Sequence, residues 1–99
     1  MTEKIKNTSE NSVFIGGKPF MNYVTGVVMQ FTTNNADKVI IKSRGKFISK
    51  AVDVAEVSRK KFLVNENISV GDVKIGSEEF ESKEGKTVNV SILEITLKK

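Results

Sequence analysis

The apolar residues of this 99-residue chain change their period once, and that change sets the limits on its fold. Before Asn65-Glu66-Asn67 they recur at helical spacing on either side of one β-branched run. After it they alternate in twos. Phe20, Val24, Val27, Val28 and Phe31 form the first helical stripe, and Met21 and Tyr23 widen it. Pro19 suits the first position of that helix, where a missing N–H costs nothing, and Asn34-Asn35 closes it as a turn. A second helix is predicted from about Phe47 to Phe62. Ile48, Val52, Ala55 and Phe62 make its stripe, with Phe47, Ala51 and Val54 beside it. Glu56 and Lys60 pair at i, i+4 on its exposed side.

The strands are read from the intervals. Val13-Phe14-Ile15 is a short apolar run stopped by Gly16-Gly17. Val39-Ile40-Ile41, within Lys38 to Ser43, has the β-branched content of a buried central strand. In the last third, Ile68 and Val70 alternate, then Val73 and Ile75, and the parity shift at Gly71-Asp72 suggests a bulge. Val88, Val90 and Ile92 alternate, then Leu93, Ile95 and Leu97, with a second parity shift between them. Gly76 to Thr87 is polar apart from Phe80 and reads as the outer part of a long hairpin arm. The expected fold is α+β, a two-layer β-α-β-α-β-β sandwich. Two helices cover one face of a four-stranded mixed sheet, and a long β3-β4 hairpin projects from it. Residues 1–11 read as a disordered polar tail and residues 12–99 as one domain.

Composition excludes more than it suggests. Without Cys there is no disulfide framework, zinc ribbon or thiolate nucleophile. Without His the commonest general base and metal ligand are missing. The acidic residues lie mainly in the arm and on helix faces, so no catalytic constellation is found, and neither an enzyme nor a cofactor or metal is expected. The N-terminus has no apolar h-region and no stretch approaches a membrane span, so a cytoplasmic protein is expected.

The net charge of +4 is unevenly spread. Residues 13–62 carry nine basic residues against Asp37, Asp53 and Glu56, for +6, while residues 63–99 sum to −2. A concentrated basic half is the footprint of a phosphate-binding face, or a solvated surface with scattered charge. Two segments sharpen the first reading. Gly16-Gly17-Lys18-Pro19 places backbone N–H groups and Lys18 at a helix start, which suits an anion; an ordinary tight turn is the alternative. The spacing is not that of a nucleotide-hydrolysing phosphate loop. Lys42-Ser43-Arg44-Gly45-Lys46 repeats the arrangement at the second helix. Arg44 can grip a phosphate at two points, Gly45 lets backbone approach a ligand, and Ser43 can donate. If the two strands are parallel neighbours, both loops emerge at one end and form a single platform. The arm has the shape of a groove-reaching ribbon, yet Glu78, Glu79, Glu81 and Glu84 oppose only Lys83 and Lys86. Arg59-Lys60-Lys61 complements a helix dipole. Tyr23 either stacks on an unpaired base or packs, and packing is the expected role.

These segments carry a family resemblance. Ile15-Gly16-Gly17-Lys18-Pro19-Phe20-Met21-Asn22-Tyr23-Val24 resembles the first signature of the Alba proteins, small archaeal chromatin and RNA-binding proteins. Ile41-Lys42-Ser43-Arg44-Gly45-Lys46-Phe47-Ile48-Ser49-Lys50-Ala51-Val52-Asp53 resembles the second. Val73-Lys74-Ile75-Gly76-Ser77 and Leu93-Glu94-Ile95-Thr96-Leu97 resemble the last two strands, so the likeness spans about residues 12–99. It implies the β-α-β-α-β-β fold, similar to the C-terminal domain of bacterial translation initiation factor three. It also implies a chromosome-associated homodimer that binds double-stranded DNA and RNA without catalysis.

By the same resemblance, nucleic acid meets the loops at Lys18 and at Arg44, Gly45 and Lys46, and the charge pattern adds Lys42 to the phosphate contacts. The two arms, with Lys83 and Lys86, reach along the minor groove. Phe62 matches an aromatic position used in dimer–dimer contacts. Gly17 stands where many relatives carry the acetylated Lys of a Lys pair, which leaves Lys18 as the candidate for modification. The Glu-rich arm keeps an alternative open, an RNA-binding or protein-interaction subunit of a ribonucleoprotein with little chromosomal DNA role.

Overall fold

The computed structural model describes residues 11–99. Six main elements follow in the order β1 (Ser12–Phe14), α1 (Phe20–Thr32), β2 (Lys38–Arg44), α2 (Ile48–Val57), β3 (Ser69–Glu81) and β4 (Thr87–Lys98). The sheet order is β1-β2-β4-β3. β1 and β2 run parallel, joined by the crossover through α1, and the other two pairings are antiparallel. The expected tail lies outside the described residues except for Asn11, whose carbonyl accepts the Ile40 N–H at 2.8 Å.

One face of the sheet is covered and the other is not. Val39 and Ile41 of β2 and Leu93, Ile95 and Leu97 of β4 point into the helix layer and are buried. There they meet Val24, Val27 and Phe31 of α1 and Ala51, Val54 and Ala55 of α2. Each buried side chain of Val, Leu, Ile or Phe size contributes about 1.5–3 kcal/mol, so this cluster dominates stability. The residues between them on β2, Lys38, Ile40, Lys42 and Arg44, lie on the helix-free face, in register with Lys98, Thr96, Glu94 and Ile92. Among the described residues no helix is long and apolar enough to cross a membrane.

The register between β3 and β4 shifts between Val70 and Val73, the site of the expected bulge. At Ile92-Leu93 the ladder is unbroken. The parity change there reflects a switch of apolar face along one continuous strand. Leu93 onward serves the core, whereas Val88, Val90 and Ile92 lie on the helix-free side.

The second helix departs from its simple stripe. The α-helix ends at Val57 and a π turn carries the chain over Ser58–Phe62. This wider turn moves later residues off the 3.6-residue period. Ser58 still falls on the buried stripe with Ala51, Val54 and Ala55, but five residues on it is Leu63 that takes the core position, and Phe62 is 51% exposed. Val52 is also exposed, because it lies beside the sheet edge rather than over its centre, and Met21 is exposed on α1.

Candidate functional site

Because β1 and β2 are parallel neighbours, their C-terminal loops leave the sheet at the same end. Specific hydrogen bonds fix the first loop. Ile15 N–H donates to Lys42 O at 2.9 Å, which ties it to β2. The buried Tyr23 hydroxyl accepts from Gly16 N–H and Lys18 N–H, each at 3.0 Å. The Lys50 ammonium, from α2, donates to Gly16 O at 2.8 Å and Lys18 O at 2.7 Å, and lies 5.0 Å from the Tyr23 ring centroid. Tyr23 and Lys50 thus clamp the loop from both sides, one taking its amides and the other its carbonyls.

This clamp changes the reading of the loop. The amides of Gly16 and Lys18 already have a partner, so they are not free to meet an anion, while Gly17 and the Lys18 side chain stay exposed. Lys50 is the residue that sequence reasoning missed. Its position in the second signature segment was visible, but its partners lie more than thirty residues upstream.

The second loop starts with Gly45 at φ +59°, a left-handed conformation that favours glycine. A 3-10 turn over Gly45–Phe47 then leads into α2. Lys46 and Lys50 both approach the Phe47 ring, at 5.5 and 5.9 Å from its centroid. Ser43 points inward, and its hydroxyl donates to Leu93 O at 3.5 Å, so it is not the outward donor that its position suggested.

The cations expected as one cluster divide between two surfaces. Lys18 and Lys46 ride on the loops. Lys42 and Arg44 extend over the helix-free face of the sheet, where Lys42 Nζ lies 5.4 Å from the Phe14 ring centroid. Arg44 is paired with Glu78 at the base of the arm, at 3.3 Å. Lys83 and Lys86 are exposed in the turn at the arm tip, which is closed by Ser82 N–H to Lys86 O and by Gly85 at φ +81°.

At the far end of α2, Arg59 donates to both Glu56 carboxylate oxygens, at 2.7 and 3.1 Å, and Lys60 lies 3.4 Å from one of them. The hydrogen bonds from Arg59 hold the Glu56 carboxyl below its ordinary pKa against a desolvation penalty that would raise it. Two of the three terminal cations therefore have a carboxylate partner as well as the helix dipole.

The loop geometry and the two signature segments fall within one recognised domain, since the Alba family model matches residues 11–77. The chain belongs to the Alba family. It is 53% identical to the DNA/RNA-binding protein Alba 1 of Archaeoglobus fulgidus, over 92% of this chain and 98% of that protein. It is 52% identical to the DNA/RNA-binding protein Alba of Thermoplasma acidophilum, over 89% of this chain and 94% of that one. The solved structure of Alba from Thermoplasma volcanium superposes with a TM-score of 0.81 at 49% identity, covering 90% of this chain and all of that one. ALBA1 from Trypanosoma brucei shares the fold, with a TM-score of 0.66 at 20% identity. The Alba fold expected from the residues is thus the fold observed.

Proposed function

We propose that this Alba-family chain is a non-enzymatic, homodimeric nucleic-acid-binding protein of the cytoplasm that associates with the chromosome. It coats or compacts double-stranded DNA and binds RNA, chiefly through phosphate contacts. The observation that carries this reading is the clamp at Lys50, which ties the first cationic loop to the helix that follows the second, at one end of the sheet. Lys18, Lys42, Arg44 and Lys46 supply the phosphate contacts, and Gly45 sets the turn that presents Lys46. Lys83 and Lys86 extend the contact from the arm. The names of the similar archaeal proteins support the same ligands.

The homodimer reading rests on the sheet edge. Val70, Val73 and Ile75 of β3 share the helix side of the sheet with Leu93, Ile95 and Leu97, yet no helix covers them. Val70 and Val73, with Val52 of α2, border an almost wholly apolar groove. A second copy docking its own edge and helix there removes this surface from water. Phe62, exposed on the π turn, is suited to contacts between dimers, and Lys18 remains the candidate for modification.

The test is a salt titration of duplex binding. For B-form DNA, removing one phosphate contact flattens the slope of log K against log salt by about 0.9. Arg44→Ala is expected to weaken binding across sequences while the dimer stays folded. Tight binding indifferent to salt would refute the phosphate-contact account. The Glu78 carboxylate beside Arg44 favours the second reading, a ribonucleoprotein subunit with little DNA role. Comparison of a DNA duplex, an RNA duplex and a single strand at one salt concentration separates the two.

A further inference from the structure

The helix-free face of the sheet holds a second constellation. Phe14, on the edge strand β1, is 69% exposed, although β-strand aromatics of this size usually bury most of their surface. Beside it lies an open cleft of about 420 Å³, bordered by Phe14, Lys42, Arg44, Glu78, Ile92 and Glu94 among others. The core has no need of this arrangement, because these side chains stand on the side of the sheet away from the helices.

We propose that this cleft takes one unpaired nucleobase of a single-stranded nucleic acid, stacked on the Phe14 ring. The proposal rests on the nucleic-acid-binding reading and shares Lys42 and Arg44 with its phosphate contacts, but it adds Phe14 and concerns a different part of the ligand, the base. Three features of the cleft fit a nucleotide. An exposed aromatic face on a sheet is the platform on which unpaired bases stack. Lys42 and Arg44 are cations able to transfer to the phosphate of the stacked nucleotide. Glu78 and Glu94 accept hydrogen bonds only, which suits the amino and ring N–H donors of a base edge and repels phosphate. A site for phosphate alone would not place two carboxylates in the cleft. A paired base cannot enter, since its faces are stacked and its pairing edge is occupied.

The chain has no Trp, so Phe14→Trp introduces a single fluorophore at the platform. A short mixed-sequence single-stranded RNA is expected to quench it saturably. A blunt DNA duplex, shown by mobility shift to be bound, is expected to leave it unquenched. Phe14→Ala and Phe14→Leu are each expected to weaken single-strand binding about tenfold, as loss of one stacked base does, with duplex affinity unchanged. The Leu variant keeps an apolar side chain, so its melting temperature controls for folding. Single-strand binding without quenching overturns the stacking site alone, as does an equal loss of single-strand and duplex affinity in both variants. Failure of both nucleic acids to bind the unmodified protein overturns the underlying reading, and this proposal with it.

Discussion

Arg44 Nη1 lies 3.3 Å from Glu78 Oε1, so the residue best able to grip a phosphate is already held by an acid of the arm. Both side chains are substantially exposed, at 62% and 47%, and a pair of this kind is weak, worth about 0.2–1 kcal/mol. A phosphate must displace Glu78 to engage Arg44 fully. Glu78→Gln is expected to raise duplex affinity by up to about fivefold per protomer by that measure. It should also steepen the salt dependence. Titration of both proteins against one duplex at several salt concentrations checks this, and unchanged affinity would show that the pair does not compete with ligand.

Tyr23→Phe removes the hydroxyl that accepts two loop amides. The ring remains packed, while Gly16 N–H and Lys18 N–H lose their partner in a partly buried setting. The expected cost is about 1–3 kcal/mol in urea unfolding. Hydrogen exchange should quicken at these two amides before it changes in the helices. A variant with unaltered protection there would argue that the hydroxyl does not organise the loop.

Ile75, 83% exposed, marks the apolar sheet edge assigned to the homodimer. Ile75→Glu places a charge on that edge without disturbing the core. Light scattering is expected to find about twice the 11.0 kDa chain mass for the unmodified protein and close to the single mass for the variant. The variant should keep its circular dichroism spectrum. A dimer that survives the charge would move the interface elsewhere.

Glu56 supplies a pH dependence of known sign. Its pKa is lowered in the folded state, chiefly by the hydrogen bonds from Arg59. Its contribution to stability is therefore present above the unfolded carboxyl pKa of about 4.3 and is lost as pH falls through the lower folded value. Glu56→Gln is expected to lower the melting temperature slightly at neutral pH. At a pH below both values the two proteins should melt alike. A gap that persists unchanged in acid would assign the effect to packing.

Much of this architecture could be read along the chain because it rests on local periodicity. The stripe from Phe20 to Phe31, the β-branched strand at Val39-Ile40-Ile41 and the bulge at Gly71-Asp72 are each specified by near neighbours. Contacts over long separations were not legible. Lys50 reads as one more cation on a helix until the fold brings it to Gly16 and Lys18. Arg44 and Glu78 likewise meet only because β4 lies between their strands. Helical spacing placed Phe62 on the core side, and a π turn, which has no clear sequence signal, carried it outward. The split of the cations between loops and open face depends on strand parity beyond Val39-Ile40-Ile41. In that parity Lys42 and Arg44 share one side and Ser43 takes the other.

The unbroken ladder along β4 has a geometric consequence. Its twelve residues are bonded to β3 throughout the arm and to β2 through the body, with no register slip at the point where the apolar face changes. At about 3.4 Å per residue it is a beam of roughly 40 Å. The irregularity between Val70 and Val73 is on the other strand of the arm, at the end farthest from the tip, where a bulge bends and twists that strand. From the turn at Gly85, β4 runs without a break to its pairing with Arg44 and Lys42. The tip and the open face of the sheet are thus the two ends of one continuous strand.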